Sequence, residues 1–184
     1  MRVHAPVEIR HVFHSYFRII GRSKSCRKNK ISTFSVREIQ NAMLSVELNQ
    51  QIDAPIDEVW STIADPLRRG DFTGHEITLA EQSGTAPIGP NFRWREQGAL
   101  LGRRYQCECR MFGWEPIDWL CFGSRFLFQI SYKLVPTDEG TRLIFGCEFP
   151  LVEGIPRSAF TNLWTRSLRS LKQIVESDAC LIHA

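Results

Sequence analysis

The chain has 184 residues, 43% hydrophobic and 11% aromatic, which is ample for a packed core and argues against disorder throughout. No apolar run approaches the ~18–20 residues of a membrane-spanning helix, so no transmembrane segment is expected. The net charge of +3 is uneven: residues 1–42 hold nine Lys/Arg against Glu8 and Glu38, whereas the remainder holds 14 basic and 18 acidic side chains. An acidic body argues against nucleic acid as a partner, because displacing phosphate counterions needs a basic face.

The basic head places Ile9, Val12, Phe13, Tyr16, Phe17 and Ile20 at helical spacing, ahead of the basic, turn-prone stretch GRSKSCRKNK. A targeting peptide, a membrane-surface helix and a dispensable extension upstream of Met43 all fit that pattern. Residues 1–43 are therefore set apart from a domain at 44–177 and a short tail at 178–184.

From Leu44 the period changes to two, with Val46, Leu48, Gln50 and Ile52 on one side of a first strand. Pro55 opens a short helix whose first turn carries Asp57 and Glu58 and whose apolar stripe is Val59, Trp60 and Ile63. Asp65-Pro66 stops it, and a second short helix or turn covers Leu67–Phe72. Strands are predicted at His75–Gln82, Phe92–Gln97, Arg103–Phe112, Ile117–Phe122, Phe126–Leu134 and Arg142–Phe149, the last two joined by the PTDEG turn. Pro156 opens a final helix of roughly 20 residues, with Phe160, Leu163, Trp164, Leu168, Leu171, Ile174 and Val175 on its apolar face and its end near Glu176. Successive hairpins give a seven-stranded antiparallel sheet with one wet face, and the long helix is the element able to cover the other. The expected class is α+β, a sheet curled around a C-terminal helix with two short helices after the first strand. The space such a sheet leaves beside its helix is a natural apolar pocket.

Several segments resemble the SRPBCC superfamily, the START-like helix-grip proteins, and in particular its polyketide cyclase/dehydrase-like branch. They are IDAPIDEVWSTIADP at 52–66, IGPNFRW at 88–94, the strand ending at Glu115-Pro116, the hairpin YKLVPTDEGTRL at 132–143, and SLRSLKQIVE at 167–176. Phe72 stands where a Trp often follows the first helix pair in that family. The resemblance spans about residues 44–177 and implies a helix-grip fold with a hydrophobic ligand cavity. It implies no single activity, because such folds serve as lipid carriers, receptors, cyclases and chaperone cofactors.

Three functions follow as expectations. The first is non-catalytic binding or carriage of a hydrophobic small molecule, lipid, acyl or polycyclic aromatic, against Phe92, Trp94, Glu96, Arg103, Tyr105, Cys107, Phe128, Ile130, Tyr132, Phe145, Cys147, Phe160, Trp164 and Leu168. The second is a cyclase or dehydratase using Glu96 with Tyr105 or Tyr132. The third is a protein-interaction module of the heat-shock ATPase activator kind.

Glu96 shares strand parity with Phe92 and Trp94, so it points inward unless the strand ends there. A lone buried carboxylate would have a raised pKa and suit ligand anchoring or acid–base work. Tyr105 and Tyr132 share that face, as ligand-orienting phenols or as ordinary core residues. Cys107-Glu108-Cys109 lacks the C-x-x-C knuckle and a nearby His, so small apolar fillers are expected rather than metal ligands. His75 lacks a Ser or Cys nucleophile motif for a triad. Neither a metal nor a cofactor is expected. The six cysteines show no framework spacing, which favours free thiols and a cytoplasmic location, as a monomer or weak homodimer.

Overall fold

The structure, a computed structural model, describes residues 43–79, 87–124, 128–150 and 156–182. The basic head, with the helix expected in it and its competing explanations, lies outside the described residues. The elements run β1 (Met43–Ile52), α1 (Ile56–Ala64), α2 (Pro66–Thr73), β2 (Glu76–Leu79), β3 (Arg93–Leu100), β4 (Arg103–Glu115), β5 (Trp119–Ser124), β6 (Phe128–Thr137), β7 (Gly140–Pro150) and α3 (Arg157–Ile182). The seven strands form one antiparallel sheet in the order β1-β7-β6-β5-β4-β3-β2, so the α1–α2 connection leads from one edge strand to the other. This is the α+β helix-grip arrangement that the hairpin spacing and the long terminal helix predict.

Period-2 patterning sets the inner face. On β4 Cys107, Cys109 and Met111 are buried while Arg104, Gln106 and Glu108 are exposed. The register places Trp94 opposite Cys109, Glu96 opposite Cys107 and Gly98 opposite Tyr105. At the far edge β1 pairs with β7, with Leu48 opposite Phe145. On α3, Phe160, Trp164, Leu168, Leu171, Val175 and Ala179 recur three or four residues apart and are all buried against the sheet. Two polar contacts fix the helix to the end of β1: Lys172 Nζ donates to the Gln51 carbonyl at 2.9 Å, and the Asp53 amide donates to Glu176 Oε1 at 2.7 Å.

Most strands run a few residues beyond their expected ends, as β4 does to Glu115 and β7 from Gly140, and three boundaries differ for reasons that can be named. The last helix continues past Glu176 to Ile182, because Ala179 supplies one more buried position, so most of the residues assigned to a tail are helical. The strand expected from Ile117 starts at Trp119. Ile117 sits in a turn with φ 68° and is exposed, and the Asp118 amide closes that turn onto the Glu115 carbonyl at 3.1 Å. Of the strand predicted at His75–Gln82, β2 occupies Glu76–Leu79, and residues 80–82 lie outside the described residues. Among the described residues no helix is long and apolar enough to cross a membrane.

Candidate functional site

The inner face contains two kinds of surface. One is a train of aromatic rings: Trp94 to Phe122 at 5.2 Å between centroids, Phe122 to Tyr132 at 6.2 Å, Tyr132 to Phe145 at 5.5 Å and Phe145 to Trp164 at 5.0 Å. It runs from β3 through β5, β6 and β7 to α3, and its steps are tilted or edge-on, the arrangements aromatic quadrupoles prefer. Beside it Phe149 and Phe160 pack at 4.0 Å. Of the residues expected to line a cavity, Phe92, Trp94, Glu96, Cys107, Ile130, Tyr132, Phe145, Cys147, Phe160, Trp164 and Leu168 are buried, and Tyr105 and Phe128 are partly buried. The Arg103 side chain lies outside the described residues.

The second surface is a polar cluster centred on Glu96, which is 0% exposed. Arg69, 1% exposed, pairs with it through Nη1 to Oε2. Arg69 comes from α2, whose start is fixed by Asp65, its side chain accepting from the Leu67 amide, and whose end is fixed by Gly74 in the left-handed region at φ 70°. Between those caps Pro66, Arg69 and Phe72 are spaced by three and turn inward, leaving Leu67 46% exposed. Arg68, on the other side of the helix, instead pairs with Asp178 of α3 at 2.5 Å.

Glu96 accepts from three further groups. Tyr105 donates its hydroxyl to Oε1 at 2.5 Å, His75 Nδ1 lies 2.9 Å from the same oxygen, and the Cys109 thiol lies 3.8 Å from Oε2. The His75 ring reaches this position because Gly98 offers no side chain: a Cβ there would stand 2.6 Å from His75 Cδ2. His75 Nδ1 is also 2.9 Å from the Tyr105 oxygen. The state of Nδ1 follows from the network. Glu96 is ionised and only accepts, and the single Tyr105 proton is committed to it, so His75 Nδ1 carries a hydrogen.

The electrostatics reverse one expectation. Burial alone pushes the Glu96 carboxyl up, but the Arg69 charge, with hydrogen bonds from His75 and Tyr105, holds it down at about 2. Glu96 is therefore an ionised partner in a buried salt bridge, not a lone carboxylate with a raised pKa. Burial opposes the Arg69 charge, yet Glu96 outweighs it and leaves the guanidinium above its ordinary range. Tyr105 is pushed up by burial and by the Glu96 charge, and burial pushes Tyr132 up to about 12 even though Arg69 acts to lower it. The two tyrosines thus flank the ion pair, Tyr105 at the carboxylate and Tyr132 at the guanidinium.

The hydrogen-bond inventory is lopsided. The Glu96 oxygens are engaged by four donors, which matches their lone-pair capacity. Arg69 Nε and Nη2, by contrast, are buried with no hydrogen-bond partner, and so are the indole nitrogens of Trp94 and Trp164. The guanidinium carbon of Arg69 lies 4.6 Å from the Phe122 centroid and 5.7 Å from that of Phe128, placing the cation among aromatic faces. Arg69 and Trp94 thus meet the same ring.

Cys107 and Cys109 bring their sulfurs to 3.7 Å, and Glu108 between them turns out toward Arg93 at 3.3 Å. Among the described residues no three or more His, Cys, Asp or Glu side chains gather where they would hold a metal. An open pocket of about 620 Å³ is bordered by Gly74, Glu76, Gln97, Arg104 and Gln106, mostly exposed polar side chains. It touches the cluster through Gly98 and Tyr105, and its rim is not the aromatic surface predicted to receive a ligand.

Sequence reasoning missed Arg69 and dismissed His75. Adjacent arginines in a short helix read as surface, and only the Pro66–Arg69–Phe72 spacing marked one of them as inward. His75 was sought as part of a nucleophile triad, whereas the structure brings it to a carboxylate and a phenol.

No family profile matches the chain, and no curated protein matches its sequence. Solved structures match its fold. A protein from Thermus thermophilus is 18% identical over 77% of this chain and 100% of its own, with a TM-score of 0.57. One from Chromobacterium violaceum is 19% identical over 72% of this chain and 97% of its own, at 0.54. Ara h 8.0201, a Bet v 1-like helix-grip protein, is 12% identical over 73% of this chain and 99% of its own, at 0.53. The fold is START/Bet v 1-like. At these identities the likeness concerns the fold alone.

Proposed function

We propose that this domain binds and carries a hydrophobic small molecule, a lipid, acyl compound or polycyclic aromatic, at the inner face of the sheet. The observation behind this reading is the set of buried donors without acceptors, Arg69 Nε and Nη2 with Trp94 Nε1 and Trp164 Nε1, inside an aromatic interior. Each such donor costs about 1–3 kcal/mol when left unpaired, so a bound molecule that brings an acceptor among these rings relieves a standing penalty. The aromatic faces supply the apolar area. Native mass spectrometry of the protein isolated from its own host tests the proposal. A retained small-molecule adduct is the expected result; a bare chain that also takes up no lipid, acyl or aromatic compound when offered them would sink it.

The contact between His75 Nδ1 and Glu96 favours a second reading, a cyclase or dehydratase of the polyketide type. In it Glu96 orients the ring, His75 Nε2 takes a proton from the substrate, and the imidazolium formed is stabilised by the carboxylate. Here His75→Gln abolishes turnover while ligand affinity stays within about threefold, and a purified protein inert toward its retained ligand removes the reading.

A further inference from the structure

The unmet donors belong to a guanidinium that already holds a carboxylate. Arg69 and Glu96 are a buried ion pair, joined through Nη1 and Oε2. Nε and Nη2 form one edge of the guanidinium, and two N–H groups on one edge converge on a single oxygen or on the two oxygens of a carboxylate. Geometry admits both ligands, and charge separates them. A carboxylate docked on that edge would bring a second negative charge onto the guanidinium that Glu96 already occupies, and the two anions would repel at short range. A cationic ligand meets the opposite difficulty, because every lone-pair site of Glu96 is engaged. A pure hydrocarbon leaves the donors unpaired.

We infer that the molecule bound at this face is uncharged and presents a carbonyl or hydroxyl oxygen to the Nε–Nη2 edge of Arg69, with its apolar body against Phe122 and Trp94. The inference rests on the small-molecule reading above and narrows its ligand class to neutral ketones, esters, amides or alcohols. Trp94, which packs on Phe122 at 5.2 Å, carries another buried N–H without a hydrogen-bond partner.

Three probes of one size separate the cases: 2-acetylnaphthalene (neutral acceptor), 2-naphthoate (anionic acceptor) and 2-ethylnaphthalene (no acceptor). They are titrated into the full chain at pH 7, with tryptophan fluorescence as the readout. The ketone is expected to bind at least about tenfold more tightly than either of the others, as befits hydrogen bonds from a charged donor. In the double variant Arg69→Met/Glu96→Leu the ketone and the hydrocarbon converge to within about twofold, while the hydrocarbon keeps its affinity. Should that variant fail to fold, the order of the three probes on the native chain decides alone. Naphthoate binding as tightly as the ketone, or ketone and hydrocarbon binding equally, overturns the inference and leaves the binding reading standing. If none of the three binds, the inference falls, and the adduct sought by native mass spectrometry decides the binding reading separately.

Discussion

The aromatic train and the Glu96 cluster occupy the same buried face, yet they are held by opposite kinds of force. Contacts from Trp94 to Trp164 are non-directional, so the train owes its stability to area and shape. The cluster is held by directed contacts, and each member is placed by the others: Gly98 admits His75, and His75 and Tyr105 fill the lone pairs of Glu96 on Oε1. Removing one partner of a buried ion pair leaves a bare charge, whereas replacing the whole pair by apolar groups is often neutral. A buried polar cluster therefore need not add stability. It makes one particular arrangement obligatory.

An isosteric substitution in each region exposes that difference. Glu96→Gln keeps the shape of the side chain but strands the Arg69 charge, and should cost about 3–5 kcal/mol in urea denaturation. A loss below about 1 kcal/mol would show that water or a shift of α2 compensates the guanidinium.

The acid limb of stability gives the next largest effect. The folded carboxyl of Glu96 titrates at about 2 against 4.5 for the free group, so its contribution is fully present above pH ~4.5 and disappears as pH falls toward 2. That shift corresponds to about 3 kcal/mol. The stability gap between the native chain and Glu96→Gln should therefore narrow from pH 5 to pH 2, and a gap independent of pH contradicts an ionised Glu96. On the apolar side the smallest effect is expected: Met111→Leu, nearly volume-conserving at a position 1% exposed, should cost less than about 1.5 kcal/mol. A cost matching that of Glu96→Gln would erase the contrast between the regions.

Strand parity in the sequence was enough to turn Glu96, Trp94 and Tyr132 inward, because a period of two leaves only two faces to choose between. The terminal helix was equally legible from its apolar spacing, apart from the last turn. The partner of Glu96 was not legible. Arg69 is 27 residues away on a helix too short for its phase to stand out, and Arg68 next to it does face outward. Ile117 misled for a related reason: an apolar residue after Glu115-Pro116 reads as strand, but the hydrogen bond closing the turn dictates its place. Periodicity reports which face a residue takes; it carries no information about which long-range neighbour meets it there.

The sheet order has a consequence for the birth of the chain. β1 is made first but pairs with β7, about a hundred residues later, so the partner of Leu48 is Phe145. At synthesis rates of about 5–20 residues per second, β1 waits roughly 5–20 s for that partner. Throughout that interval the side of the strand bearing Leu44 and Val46 has neither β7 nor α3 to cover it, which makes the nascent chain a natural client for a holding chaperone.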